Sequence, residues 1–177
     1  MNYDENSQTQ VGIGTRSNQI VQHNAWTIWI SKLLDYEPVE GWDYKLLFAT
    51  LTFSNMEDGK PPSLGYARRS RNQYVEFIRE NCTQVIKLFV AEEKGKDYSN
   101  RLHYHWLMLC RTNNANRHFK PLGLLAEHLK SGWKFGIIKD VQIVADKDAI
   151  ANYVTKYVTK DLSLTHVPEW DYQDFTR

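Results

Sequence analysis

The run Arg101-Leu102-His103-Tyr104-His105-Trp106-Leu107-Met108-Leu109-Cys110 decides how the rest of the chain is read. An apolar run opened by two histidines one residue apart reads as a strand, and in a strand successive side chains point to opposite faces. His103 and His105 therefore share one face, while Leu102, Tyr104 and Trp106 share the other. Two imidazoles on one face can grip one metal ion; a hydrophobic strand whose rings are simply hydrogen-bonded is the plainer alternative.

Working outward, Val85 to Glu93 is a second strand, and Lys94 to Asn100 joins it to the histidine strand as an antiparallel hairpin with a long connection. Glu92-Glu93 ends that strand just before the loop, and His103 opens the next just after it. Directly opposed residues in an antiparallel ladder face the same side, so one glutamate can become a third ligand beside His103 and His105 and leave positions open for a phosphate. Glu93 is preferred: the register that sets it opposite His103 turns Glu92 away, and a one-residue slip would exchange them.

Farther out, Tyr44 to Phe53 is a first strand, broken at Ser54-Asn55 and again from Gly59 to Pro62. Ser63 can cap a helix running to about Asn81, with Ala67, Tyr74, Phe77 and Ile78 inward and Arg68, Arg69 and Arg71 toward solvent. Leu122 to Lys130 is a short helix opened by Pro121 and closed by Ser131-Gly132, Ile137 to Val144 a fourth strand, and Asp146 to Lys160 a last helix capped by Asp146 or Asp148. Gln19 to Leu34 approximates helical spacing and predicts a packing helix. The order predicts an α+β fold: an antiparallel sheet of four to five strands in the split βαβ pattern of ferredoxin-like and RNA-recognition-like folds, with helices packed on it. The histidine strand is then central, with the first strand and the Glu93 strand as its neighbours. One domain over residues 18–165 is expected, between a polar tail at 1–17 and a tail at 166–177.

A chain of 177 residues can bury a core as a single domain. Its apolar runs are strand-sized rather than the ~20 residues of a membrane span, and no charged-then-apolar leader opens it, so a soluble intracellular protein is expected. Cys82 and Cys110 lack metal-finger spacing and read as reduced, packed thiols. Net charge is +1, yet Tyr66 to Lys139 holds 14 Lys+Arg against 6 Asp+Glu. That basic middle admits a phosphate-bearing partner, with Arg68, Arg69 and Arg71 as candidate contacts.

Tyr153-Val154-Thr155-Lys156-Tyr157-Val158-Thr159-Lys160 writes one four-residue unit twice. On a helix, Tyr153 and Tyr157 stack one turn apart, and Lys156 and Lys160 form an adjacent row. A core stripe of tyrosines is the common meaning of such spacing. Here cations accompany the rings, and a metal that polarises a phosphodiester together with a phenol that attacks it makes a complete nucleophilic mechanism.

Taken together, FATLTF at 48–53, LHYHWLML at 102–109 and YVTKYVTK at 153–160 resemble the three motifs of the HUH endonucleases, specifically the two-tyrosine rolling-circle replication initiators of small, microvirus-like single-stranded DNA phages. Gly132-Trp133 and Gly136 are similar to the segment those proteins carry before the third motif. The resemblance covers roughly residues 44–162. It implies an HUH endonuclease fold with His103 and His105 as paired ligands and Tyr153 and Tyr157 as nucleophiles. Glu93 in Glu-Lys-Gly matches the acidic-x-Gly ahead of the histidines, although its hairpin connection is longer than the pattern. It further implies a divalent ion, Mg²⁺ or Mn²⁺, held by His103, His105 and Glu93. Lys156 or Lys160 would sit at the scissile phosphate, the substrate would be single-stranded DNA or an origin hairpin, and the site of action the cytoplasm of a bacterial host. No helicase P-loop follows, so a host helicase and replication machinery are expected partners. Two other readings use parts of the pattern: a two-tyrosine transposase, and a non-catalytic module that stacks bases on Tyr104 and Trp106.

Overall fold

The computed structural model describes residues 11–94, 101–113, 121–159 and 170–176, with their side chains except at 11–20, 140 and 157–159. Its elements in chain order are α1 (Val11–Leu33), β1 (Asp43–Phe53), α2 (Leu64–Asn81), β2 (Val85–Lys94), β3 (Leu102–Thr112), α3 (Leu122–Gly132), β4 (Gly136–Val144), α4 (Lys147–Thr159) and β5 (Trp170–Asp174). The strands form one sheet in the order β4-β1-β3-β2-β5, and every described ladder is antiparallel. The α+β class and the central place of the histidine strand are as the sequence predicts.

Alternation in three adjacent strands builds two cores. Leu47, Leu51 and Phe53 of β1, Leu88 and Val90 of β2, and Tyr104, Trp106 and Met108 of β3 point to one face, where Ala67, Tyr74 and Ile78 of α2 and Leu125 and Leu129 of α3 cover them. Leu46 and Phe48, Phe89 and Ala91, and Leu107 and Leu109 point to the other, under Ile30 of α1, Leu34 just beyond it, and Ala151 and Val154 of α4. Both faces of β3 are thus closed over most of its length, which is why it is apolar without alternating. Cys82 and Cys110 are buried free thiols.

Local signals set the helix ends. The Ser63 side chain accepts from the Tyr66 N–H at 3.2 Å, and the Asp146 carboxylate accepts from the Ala149 N–H at 2.9 Å, so of the two candidate caps for α4 it is Asp146 that serves. Gly136 lies so close to β1 that a Cβ there would meet the Thr52 carbonyl at 2.1 Å. Beside it, the Trp133 indole donates to the same carbonyl at 2.9 Å and Ser54 N–H donates to Phe135 O at 2.9 Å. Segment 133–136 thereby clamps the end of β1.

Three expectations are corrected. The helix foreseen from Gln19 begins at Val11, inside the stretch 1–17 read as a tail, since propagating a packed helix by two turns costs little once it is nucleated. The tail foreseen at 166–177 contains β5, which pairs with the outer edge of β2 from Lys87↔Asp174 to Ala91↔Trp170. Arg68 and Arg71 do not face solvent. Arg71 is buried, and Arg68 is turned onto the buried Glu92; only Arg69 of the three is exposed.

Candidate active site

Adjacent strands deliver the site in rows. Thr50 of β1, His105 of β3 and Ala91 of β2 are register partners, and Thr52, His103 and Glu93 form the next row. Glu93 stands opposite His103, so Glu92 is opposite Tyr104 on the other face, which is the register preferred from the sequence.

His105 is almost fully buried, and contacts on three sides hold its ring. Nε2 is 2.8 Å from Glu93 Oε2, Nδ1 is 3.2 Å from Thr50 Oγ1, and the ring lies parallel to Phe48 at 5.9 Å and 7°. A carboxylate only accepts, so with Nε2 against Glu93 that nitrogen carries the proton and Nδ1 accepts from the Thr50 hydroxyl. For Nε2 to bind a cation the tautomer must reverse, with Nδ1–H donating to Thr50 Oγ1. A hydroxyl both donates and accepts, so Thr50 suits either state.

The donor set fits a divalent cation: imidazole nitrogen and carboxylate oxygen are ordinary ligands, and their 2.8 Å separation is near the ~3 Å between adjacent ligands on an ion with bonds of about 2.1 Å. His103 is half-buried on the same face one row outward. Among the described residues no three His, Cys, Asp or Glu side chains close on a single point. Glu93 and His105 are brought together, and His103 stands beside them.

The distant tyrosine motif arrives on the same face. Tyr153 of α4 is 40 % exposed and sits edge-on against Phe48 at 5.6 Å and 87°. One aromatic ring thus separates the Tyr153 phenol ring from the His105 imidazole. Lys156 places its ammonium 3.5 Å from the centroid of the Tyr153 ring. α4 is held there by α1, through His23 Nε2 to Asn152 Oδ1 at 2.7 Å, Thr27 Oγ1 to Thr155 Oγ1 at 3.2 Å and Ser31 Oγ to Asp148 Oδ1 at 2.5 Å. Tyr157 lies one turn farther along α4, in the part whose side chains are outside the description; Lys160 is outside the described residues altogether.

The opposite face is a different environment. The Arg68 guanidinium donates to both oxygens of the fully buried Glu92, at 3.2 and 3.3 Å, and Tyr104 donates its hydroxyl to the same carboxylate at 3.3 Å. Burial first, and Glu92 second, push the Tyr104 phenol well above its ordinary range, which leaves it protonated at any working pH. Arg71 lies over the Tyr104 ring at 6.0 Å. These arginines therefore knit α2 to the sheet beneath the site, on the side away from His105. Tyr104 and Trp106 have no exposed surface, so neither can stack a base and the base-stacking reading loses the residues it relied on. Thr50 and Phe48 are the contacts the sequence reading undervalued. The FATLTF motif carried them, with no charged or ligating group to mark them out.

A family model for the replication-associated proteins of the ORF2 type matches residues 46–162, from the first strand to just past the tyrosine helix. The chain belongs to that family. Membership places this ORF2-type protein among phage replication-initiator proteins and makes DNA its partner. No curated protein and no solved structure matches it. Among the described residues no helix is long and apolar enough to cross a membrane.

Proposed function

We propose that this ORF2-type replication protein is a two-tyrosine HUH-type rolling-circle initiator that nicks single-stranded or extruded origin DNA in the host cytoplasm and rejoins strands through a covalent tyrosine intermediate. The observation that carries the reading is the convergence of three distant motifs on one sheet face: Thr50 and Phe48 from β1, His105 beside Glu93, and Tyr153 against Phe48. His105, Glu93 and His103 would hold Mg²⁺ or Mn²⁺, with Thr50 fixing the His105 tautomer. When bound, that ion neutralises charge on the scissile phosphate and polarises it.

The chain's own residues do the rest. The Tyr153 phenol oxygen attacks phosphorus; an O–P bond forms as the P–O3′ bond breaks, and the phenol proton ends on the departing 3′ oxygen. The 5′ phosphate stays on the tyrosine, and a free 3′ hydroxyl is left to prime synthesis. Lys156, already at the Tyr153 ring, is placed to meet a phosphate oxygen. Tyr157, about 6 Å along the same helix, would make the second cut while the first strand is still held, with Lys160 in the equivalent role. Host helicase and replication machinery would supply unwinding.

A labelled single strand incubated with protein and Mn²⁺ tests this. Wild type should give an SDS-resistant adduct, Tyr153→Phe and Tyr157→Phe should each retain single-turnover nicking, and the double variant should form none. Reversible binding alone, or an adduct that survives the double substitution, would overturn it.

A further inference from the structure

Large apolar side chains exposed singly are ordinary on a protein surface, but the place of Trp170 is not arbitrary. It is the register partner of Ala91, which is in turn the partner of His105. Thr50, His105, Ala91 and Trp170 thus form one row across four strands, all on the face that carries Glu93 and Tyr153. The methyl of Ala91 is the only side chain between the histidine and the indole in that row. Two strand spacings put their backbones roughly 10 Å apart.

The indole is held firmly yet left open. It meets Trp29 and Trp26 of α1 edge-on at 4.8 and 5.4 Å, and lies nearly parallel to Phe89 at 6.3 Å and 19°. Even so, 39 % of its surface reaches solvent. The His105–Glu93 pair is therefore flanked by the exposed Tyr153 on the β1 side and by a supported, exposed tryptophan on the β5 side.

We infer that Trp170, backed by Trp26 and Trp29, is a stacking platform for a nucleobase of the single-stranded substrate, one or two nucleotides from the phosphate held at His105 and Glu93. The inference rests on the proposed DNA-cleaving reading of that site. An aromatic face takes any base, so the platform orders the strand across the sheet without reading its sequence. It acts as a positioning residue: a flexible single strand pinned at a base beyond the reacting phosphate presents that phosphate to Tyr153 with less freedom to lose.

The probes are a fifteen-nucleotide oligothymidylate and an abasic strand of the same length, with binding measured by fluorescence anisotropy at fixed salt. Wild type should prefer the base-bearing strand, and Trp170→Ala should shrink that preference by about 5- to 100-fold while leaving its affinity for the abasic strand unchanged. Trp170→Phe, which keeps a π-face, should restore most of the preference. Should the alanine variant not fold, Trp170→Leu, apolar but without a π-face, carries the same comparison. An undiminished preference in the Ala or Leu variant overturns the platform. Failure of the wild-type protein to bind either strand, or to form the tyrosine adduct, instead overturns the reading of the site itself, so the two failures are told apart.

Discussion

Replacing Arg68 by alanine separates a structural arginine from a phosphate-binding one. Its guanidinium gives two hydrogen bonds to Glu92, whose side chain has no exposed surface, whereas the Arg68 side chain is 33 % exposed. Removing one member of a buried pair typically costs about 3–5 kcal/mol, because the remaining charge keeps its desolvation penalty. Water reaches Arg68 from one side and would partly rehydrate the site, which lowers the expectation to roughly 2–3 kcal/mol. For a chain of this length, at about 2–4 °C per kcal/mol, Tm should fall by around 5–10 °C. Thermal unfolding by circular dichroism reads this directly, and Arg69→Ala, at an exposed position, is the control with a near-wild-type Tm. Arg68→Met combined with Glu92→Gln should recover part of the loss, since no ion is then stranded. In parallel, the slope of log affinity for a single strand against log salt should be the same in Arg68→Ala as in wild type. An unchanged Tm with a slope shallower by about one would refute the argument and make Arg68 a phosphate contact.

Three further outcomes follow from the same contacts. Glu93→Gln keeps the shape of the side chain but removes its charge, and Thr50→Val removes the partner of His105 Nδ1; each should lower metal-dependent nicking by about 10- to 100-fold and shift the Mn²⁺ titration to higher concentration. An unaltered titration in both would count against cation binding there. Gly136→Ala forces a methyl onto the Thr52 carbonyl and should cost about 1–3 kcal/mol, read in urea unfolding, whereas Gly123→Ala, with open space around it, should cost nothing of the kind. Tyr74 and Tyr104 both have phenols raised above the ordinary value of 10.0, chiefly by burial, so above that pH the unfolded chain releases protons the folded chain keeps. Their contribution to stability is full below pH 10 and should decline as pH rises beyond it; urea midpoints that stay constant from pH 9 to pH 11 would show otherwise.

How far the fold could be read in advance depended on whether a residue's partner lay in its own periodicity. His103 and His105 share a face because strands alternate. That, with a hairpin from β2, was enough to set Glu93 beside them and to separate Glu92, as the ladder shows. The same arithmetic was available for α2 and was not followed through: Ala67, Arg71, Tyr74 and Ile78 lie at i, i+4, i+7 and i+11, so Arg71 belongs to the buried stripe despite its charge. Arg68 escapes this rule because its partner is not on the helix at all. It reaches Glu92, a residue whose burial follows only from the sheet that α2 covers.

The remaining gap has the same cause. β5 is five residues with two acids and a glutamine, and nothing in its own pattern asks for a strand. Its pairing is dictated by the unfilled edge of β2 and by Trp26 and Trp29, supplied from α1 at the far end of the chain. Strand pairing carries Trp170 into the row of His105, and helix packing carries Tyr153 onto Phe48. One sheet row at the centre of the domain thus collects residues from β1, β2, β3 and β5, with α4 laid across it. A motif scan finds the histidines and tyrosines because their spacing is local. It passes over Thr50 and Trp170 because what qualifies them is a register partner, a relation that exists only once the sheet has formed.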